Sequence, residues 1–142
     1  MILVSACLVG VRSRYDSGAK KNKKIIAALK GKAFLAVCPE QLGGFPTPRP
    51  RCHFICGDGR AVLQGKARVM NADGLDVTEN FIRGAKEVLH LARLTGSKLM
   101  IGVEKSPSCG ISRIDCEGKL ISGEGVTTAL LRMNGIKVRE KL

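Results

Sequence analysis

The chain has 142 residues and a formal net charge of +12, from 24 lysines and arginines against 12 aspartates and glutamates. This length suits a single domain over residues 1–142, able to bury about two thirds of the surface that the unfolded chain would expose. The charge favours phosphate-bearing partners. With no Trp, one Tyr and four Phe, an aromatic stacking platform for single-stranded nucleic acid is poorly supported.

The apolar runs limit where the protein can act. None approaches the roughly 20 residues of a membrane span. The opening residues MILVSACLVG lack the basic segment and the cleavage site of a secretion signal. We therefore expect a cytoplasmic protein with no membrane partner. In that reducing compartment, six cysteines favour metal ligation, catalysis or buried packing over disulfides.

In the first half of the chain, apolar runs alternate with glycine stops. They predict a strand over residues 2–5, a helix whose apolar residues fall at 25–29 and which Gly31 ends, and a strand over 33–37. The stretch QLGGFPTPRPR contains too many prolines and glycines for a regular element. Asp58-Gly59 then predicts a small hairpin, followed by a β-rich segment over 67–70.

The second half of the chain contains the clearest helix. It is predicted to begin with Thr78 as N-cap and to run to about Thr95, before Gly96. A strand over 99–103, a second hairpin over 115–118, a helix over 126–133 and a last strand over 136–138 follow. Helices alternating with apolar strands predict a three-layer α/β/α domain with a mainly parallel, Rossmann-like sheet.

Three cysteines stand where predicted strands end. Cys7 closes MILVSAC, Cys38 closes AFLAVCPE, and Cys109 lies in SPSCG just after KLMIGV. The carboxyl ends of parallel strands share one edge of the sheet, where α/β proteins build their sites. We therefore expect the three thiols to meet in space, although buried packing is the ordinary role of any one cysteine alone.

Several strings resemble one known family. SACLVG, RYDSG, VCPEQLGGFPTPRP, GDG, LDVT, KSPSCG and GEGVTTALLRMNGI occur in the same order as in the DUF523 proteins, the thiouracil desulfidase family. The resemblance covers nearly the whole chain. It implies an iron–sulfur enzyme that removes sulfur from thiolated uracil or from 4-thiouridine monophosphate and releases sulfide. A thiopyrimidine or its nucleotide is then the partner, with RNA a further candidate and the oligomeric state open.

The resemblance places the ligands of a 4Fe-4S cluster at Cys7, Cys38 and Cys109, the cysteines that the strand ends also select. Three thiolates can hold three irons, which leaves the fourth iron open as a Lewis acid. A thiocarbonyl sulfur is soft and suits such an iron. Whether an aerobically purified sample keeps this cluster stays open.

Glu40 and two serines are candidates beside these ligands. Glu40 lies two residues after Cys38, and by resemblance it is the catalytic acid and base. The competing interpretation is a loop carboxylate paired with Arg49 or Arg51. Ser106 matches a family serine near the substrate, whereas Ser108 is the weaker candidate, because short polar residues in loops often only satisfy the backbone.

Phosphate could be held at three places. These are Arg49, Lys105 and the exposed N–H groups where Gly125 opens a helix. Arg14, Tyr15 and Asp16 follow Cys7 closely enough in sequence to shape the pocket, and an ordinary surface role suits them equally well.

The chain departs from the family pattern after the proline-rich stretch, where Cys52, His53 and Cys56 occur. This group could bind zinc or supply another cluster ligand, but two thiols do not close a tetrahedral site, and local packing is favoured. Cys116 is predicted to be incidental. The alternative function is a basic module that binds tRNA or another nucleic acid and uses its cysteines for a structural metal.

Overall fold

Two four-stranded sheets organise the chain. The computed structural model describes all residues, 1–142. The strands are β1 (Ile2–Ser5), β2 (Phe34–Val37), β3 (Cys52–Ile55), β4 (Arg68–Asn71), β5 (Leu99–Ile101), β6 (Arg113–Cys116), β7 (Lys119–Ser122) and β8 (Lys137–Arg139). The helices are α1 (Lys23–Leu29), α2 (Pro39–Leu42), α3 (Gly59–Leu63), α4 (Thr78–Thr95) and α5 (Val126–Met133), with a 3-10 turn over Ala6–Val9.

The first sheet is wholly parallel, in the order β2-β1-β5-β8. Strand β1 is central because it is apolar on both sides. Val4 packs with Ile25 of α1 on one side, while Leu3 packs with Val88 of α4 and Leu131 of α5 on the other. Helices therefore cover both sides of this sheet, which confirms the predicted α/β fold with a mainly parallel sheet.

The second sheet, in the order β4-β3-β6-β7, was not predicted as a sheet. Strands β3 and β6 are parallel, and the two outer pairs are antiparallel. The β6–β7 hairpin confirms the one predicted there. The hairpin predicted at Asp58-Gly59 is wrong, because Asp58 caps α3 and accepts the Ala61 N–H at 3.1 Å. Asp-Gly suits a helix start as well as a turn, since aspartate is a strong N-cap.

Helices α4 and α5 join the two sheets. Phe81 and Val126, near their N-terminal ends, pack on the second sheet, whereas Val88 and Leu131 pack on the first. The apolar residues of α4 recur along one side of the helix, as predicted. None of the helices combines the length and apolar character needed to cross a bilayer.

Thr78 differs from its predicted role as N-cap. It is the first helical residue of α4, and its Oγ1 accepts the Val69 N–H at 3.0 Å, which ties the helix to β4. The predicted strands 33–37, 67–70, 99–103 and 136–138 are present with ends shifted by one or two residues. Such shifts arise because a strand ends where its pairing partner ends, and sequence does not reveal the partner.

Candidate active site

The structure brings Cys7, Cys38 and Cys109 to one cavity at the carboxyl edge of the parallel sheet. Cys7 lies in the turn after β1, Cys38 directly follows β2, and Cys109 lies in the loop between β5 and β6. Because β2, β1 and β5 are neighbours in the sheet, their carboxyl ends are adjacent. The cavity therefore contains one thiol from the carboxyl end of each of three adjacent strands.

The surroundings of Cys7 and Cys109 oppose ionisation of their thiols. Burial raises the pKa of Cys7, and the nearby Cys38 raises it further, while Arg14 and Lys20 act in the opposite direction. Burial raises the pKa of Cys109 to about 12, with the Ser5 and Ser108 hydroxyls opposing this rise. Repulsion by the neighbouring cysteines acts in the same direction as burial at both residues, so a positive charge bound among them would favour the ionised forms of Cys7 and Cys109.

Glu40 lies in the first turn of α2 and is held by two partners. Its Oε1 accepts the Nε–H of Arg49 at 3.0 Å, and its Oε2 accepts the hydroxyl of Ser108 at 3.2 Å. The carboxylate is 13% exposed and lines the cavity. Its orientation is fixed from two sides, so the carboxylate holds one defined position in the wall of the cavity that the thiols also line.

Arg49 uses its guanidinium inside the protein. Besides Glu40, it donates to the Thr47 hydroxyl at 2.9 Å, to the Pro46 carbonyl at 3.3 Å and to the Ser13 carbonyl at 2.9 Å. The side chain is only 3% exposed. The ion pair weighed as the competing interpretation of Glu40 is therefore present. It removes the N–H groups of Arg49 from the reach of a phosphate.

Both serines of SPSCG line the cavity, but they have different hydrogen-bond partners. Ser106 Oγ accepts the backbone N–H groups of Ser108 at 3.2 Å and of Cys109 at 3.0 Å. Ser108, the weaker candidate, donates to Glu40 and lies 3.1 Å from Ser106 Oγ. A chain of hydroxyls therefore leads from Ser106 through Ser108 to the carboxylate.

The start of α5 anchors the Cys109 loop, residues 105–110, rather than leaving free amides. Val126 N–H donates to the Pro107 carbonyl at 2.9 Å, Thr127 N–H to Ser108 at 3.0 Å, and Gly125 N–H to Gly110 at 2.9 Å. A Cβ on Gly125 would lie 2.4 Å from the Ser108 oxygen, so only glycine allows this approach. The N–H groups proposed for phosphate are thus occupied by the loop that carries Cys109.

Glu104 holds the residues that directly follow this loop. Its Oε1 accepts the N–H groups of Ile111 at 2.7 Å and of Ser112 at 2.8 Å, and its Oε2 accepts the Ser112 hydroxyl. Burial acts to raise the pKa of Glu104, but these hydrogen bonds outweigh it and hold the pKa below its ordinary value. An ionised Glu104 therefore fixes the end of the loop.

Four cations line the cavity without making ion pairs. They are Arg14, Lys20, Arg51 and Lys105, referred to below as the mouth cations. Two of them share one aromatic ring. The guanidinium carbons of Arg14 and Arg51 lie 5.7 Å and 5.8 Å from the centre of the Tyr15 ring. Asp16 instead accepts the Gly18 N–H at 2.9 Å and closes a turn.

The cysteines outside the strand ends are dispersed. Cys52 lines the cavity beside Glu40, and burial raises its pKa to about 12. His53, next along β3, points to the opposite side of the strand, and Cys56 is exposed. No three His, Cys, Asp or Glu side chains converge as they would on a single ion, so the possible zinc group does not form. Cys116 lies on β6, outside the cavity.

Sequence reasoning missed Ser5 and Ser13 as parts of this site. It considered Arg51 only as a partner of Glu40, but Glu40 pairs with Arg49 and Arg51 lines the cavity without an ion pair. Ser5 lines the cavity and is 2% exposed. A polar residue at an inward position of an apolar strand was the available signal for Ser5. Ser13 contributes a backbone carbonyl, which residue type cannot reveal.

The fold and site define an α/β protein whose parallel sheet carries a cysteine-lined cavity with a fixed carboxylate. The chain belongs to the 2-thiouracil desulfurase family, whose model matches residues 2–141. It is 43% identical over 141 residues to the uncharacterized protein YbbK of Bacillus subtilis strain 168, covering 97% of this chain and 93% of that protein. A solved structure, the 4Fe-4S-dependent thiouracil desulfidase TudS, matches with a TM-score of 0.82 and 43% identity, over 97% of this chain and 88% of that one.

Proposed function

We propose that the protein removes sulfur from a thiolated uracil or from 4-thiouridine monophosphate, using a 4Fe-4S cluster held by Cys7, Cys38 and Cys109. The observation that carries this proposal is the meeting of three thiols and the Glu40 carboxylate in one cavity. Membership of the 2-thiouracil desulfurase family supports the substrate class. The cluster dependence of TudS supports the cofactor.

The donor set of the cavity fits such a cluster. Ligands of a cubane bind different irons, so their sulfurs stand farther apart than ligands that converge on one ion. Burial and mutual repulsion oppose ionisation of Cys7 and Cys109, and bound iron would offset both effects. When bound, the cluster supplies an iron without a protein ligand, which acts as a Lewis acid for the thiocarbonyl sulfur.

Glu40 is the proton carrier in this proposal. The oxygen of a water molecule replaces sulfur on the ring carbon, and the two protons of that water leave with the sulfide. No net electron transfer is needed. Glu40 accepts a proton from the water and returns it to the departing sulfur, while Arg49 holds the carboxylate in place. The hydroxyls of Ser108 and Ser106 extend the path along which a proton can move.

The mouth cations are the proposed contacts for a substrate phosphate. Arg14 and Arg51 are held against Tyr15 by cation–π contact, and no carboxylate pairs with them. Lys105 lines the same opening, which supports its predicted role as a phosphate contact. Arg49 and Gly125 instead position Glu40 and the Cys109 loop, since their N–H groups are engaged within the protein.

The test compares a cavity cysteine with an exposed one. We expect anaerobically reconstituted wild-type protein and a Cys56→Ala control to hold about four irons per chain with matching acid-labile sulfide. Cys109→Ala should lose the cluster yet keep its fold, because backbone hydrogen bonds hold the loop. Turnover of 4-thiouridine monophosphate, followed by sulfide release, should be present in wild type and control and absent in Cys109→Ala.

Two results would contradict the proposal. One is wild-type protein that binds zinc or no metal and leaves thiopyrimidines intact. The other is a Cys109→Ala variant that unfolds, which would indicate a structural metal and favour the nucleic-acid-binding alternative. Binding to tRNA with a steep salt dependence would add weight to that alternative.

A further inference from the structure

Three buried hydroxyls have no hydrogen-bond partner in the protein. They are Ser5 Oγ, Thr127 Oγ1 and Thr128 Oγ1. Buried polar groups nearly always find a partner, so each of these needs an explanation. Only Ser5 lines the cavity of the three thiols. Its hydrogen-bond partner is therefore either a ligand that binds in the cavity or a group of the cavity wall in another chemical state.

The strand places Ser5 on the Cys109 side of the sheet. Side chains two residues apart on a strand share a face. Leu3, two residues earlier, packs in the same core cluster as Cys109. Ser5 pairs with Val37 of β2 in the sheet, so its backbone is fixed and its hydroxyl can only rotate.

Ser108, the other hydroxyl beside Cys109, is already in use. It lies 3.2 Å from Glu40 Oε2 and 3.7 Å from Cys109 Sγ, but a serine has one proton to donate. The ionised carboxylate is the stronger acceptor, so that proton belongs to Glu40. Ser5 is then the remaining hydroxyl that can donate a hydrogen bond to the Cys109 sulfur.

We propose that Ser5 is a positioning residue whose hydroxyl donates a hydrogen bond to the Cys109 sulfur once that sulfur is a cluster ligand. This rests on the proposed cofactor. The Ser5 hydroxyl already acts to lower the pKa of Cys109, yet it makes no hydrogen bond of ordinary geometry beside the thiol. A neutral thiol is a weak acceptor, whereas a metal-bound thiolate is a strong one. Hydrogen bonds to the sulfurs of an iron–sulfur centre help to set its reduction potential, since they stabilise the more negative, reduced form.

The experiment measures the midpoint potential of the reconstituted cluster without substrate. Ser5→Ala should shift the potential to more negative values at equal iron content, and Ser5→Thr should restore it, because it keeps the hydroxyl. Thr127→Val is the matched control. It removes an equally buried, unpartnered hydroxyl that does not line the cavity, and the potential should equal that of wild type.

The outcomes separate this inference from the proposed function. A wild-type protein that assembles no cluster overturns both. A Ser5→Ala cluster with the wild-type potential, or an equal shift in Thr127→Val, overturns the role of Ser5 alone. If Ser5→Ala stays folded but holds no iron, the isosteric variants Ser5→Thr and Ser5→Val are compared for cluster content. A cluster in Ser5→Thr but not in Ser5→Val supports the hydrogen bond. Equal cluster content in the two variants overturns it.

Discussion

At the scale of single residues, Glu40 has the clearest test. Its carboxylate accepts from Arg49 and Ser108, and a glutamine side chain in its place would keep the shape while losing the ability to carry a proton. We expect Glu40→Gln to retain the cluster but to lower turnover by about 10²–10⁴-fold, the usual contribution of general acid–base catalysis. Single-turnover sulfide release at saturating substrate measures this loss.

The control for Glu40 is another carboxylate of the cavity wall. Asp115 lines the cavity, and its Oδ1 only accepts the Gly118 N–H at 2.9 Å in the β6–β7 turn. Asp115→Asn should therefore keep full turnover. Unchanged turnover in Glu40→Gln, or an equal loss in Asp115→Asn, would remove Glu40 from the proposed proton path.

The residue types in the sequence predicted well which side chains line the site. They predicted less well which contacts each of those side chains makes. Glu40 was selected by its spacing from Cys38 and by the family resemblance, and the structure places it in the cavity. The order of Ser106 and Ser108 could not be predicted, because it depends on which hydroxyl faces Glu40 and which turns back to the loop amides. Arg49 also could not be assigned, since a guanidinium serves a buried carboxylate or a phosphate equally well.

At the scale of elements, the contact of α2 with α4 positions the Glu40 segment. Gly84 of α4 lies against α2 so closely that a Cβ would stand 2.0 Å from the Pro39 carbonyl oxygen. Alanine favours a helix over glycine by about 1 kcal/mol. Overpacking typically costs about 1–3 kcal/mol, occasionally more, and here the obstacle is rigid backbone. We expect Gly84→Ala to lower the Tm and also turnover, because α2 carries Glu40.

Arg83→Ala is the matched control for this contact. Arg83 precedes Gly84 on the same helix and is exposed, so its replacement adds no atom to the α2 contact. Thermal unfolding should give a Tm close to wild type for Arg83→Ala. A Gly84→Ala protein as stable and as active as wild type would show that α2 can move away without consequence for Glu40.

Secondary-structure prediction succeeded where the hydrophobic periodicity and the glycines that end a helix agreed. The α5 range was predicted with both ends, because Gly125 and Gly135 bracket an apolar pattern. It failed at Asp58-Gly59, where a dipeptide common to turns and helix starts begins α3. The choice there is made by tertiary contact. Gly59 packs against the backbone of Gly125, where a Cβ would lie 2.3 Å away.

At the scale of the whole molecule, the charge of +12 should speed the capture of anionic substrates. For 4-thiouridine monophosphate we expect kcat/KM to fall as ionic strength rises from about 0.01 M to 0.15 M, since the Debye length shrinks from about 30 Å to 8 Å. For neutral thiouracil it should stay constant. Initial rates for both substrates over a salt series provide the measurement.

Charge removal at two places locates this effect. Arg14→Gln with Arg51→Gln should weaken the salt dependence for the nucleotide, because both line the cavity. Lys137→Gln removes a charge from β8, outside that cavity, and should leave the dependence nearly as steep as in wild type. Equal salt dependence for nucleotide and free base would remove the mouth cations as phosphate contacts.

The overall architecture was partly predictable. Apolar strands alternating with helices indicated a parallel sheet, and the common edge of its strands predicted that Cys7, Cys38 and Cys109 would meet. The second sheet was not foreseen, because β3 and β6 pair across a long stretch of intervening chain and only Phe54 and Cys116 are in register. Short strands with so few partners leave little pattern in a sequence.

The anchoring of the Cys109 loop by α5 also bears on how such a protein ages. Hydrogen bonds within the protein hold the backbone of this loop, so the loop should keep its shape if the proposed cluster is lost to oxygen. Fresh iron and sulfide would then rebuild the proposed cluster in the folded chain, without unfolding or new synthesis of the protein. Oxidation would then cost the cell a cofactor and not the whole protein chain.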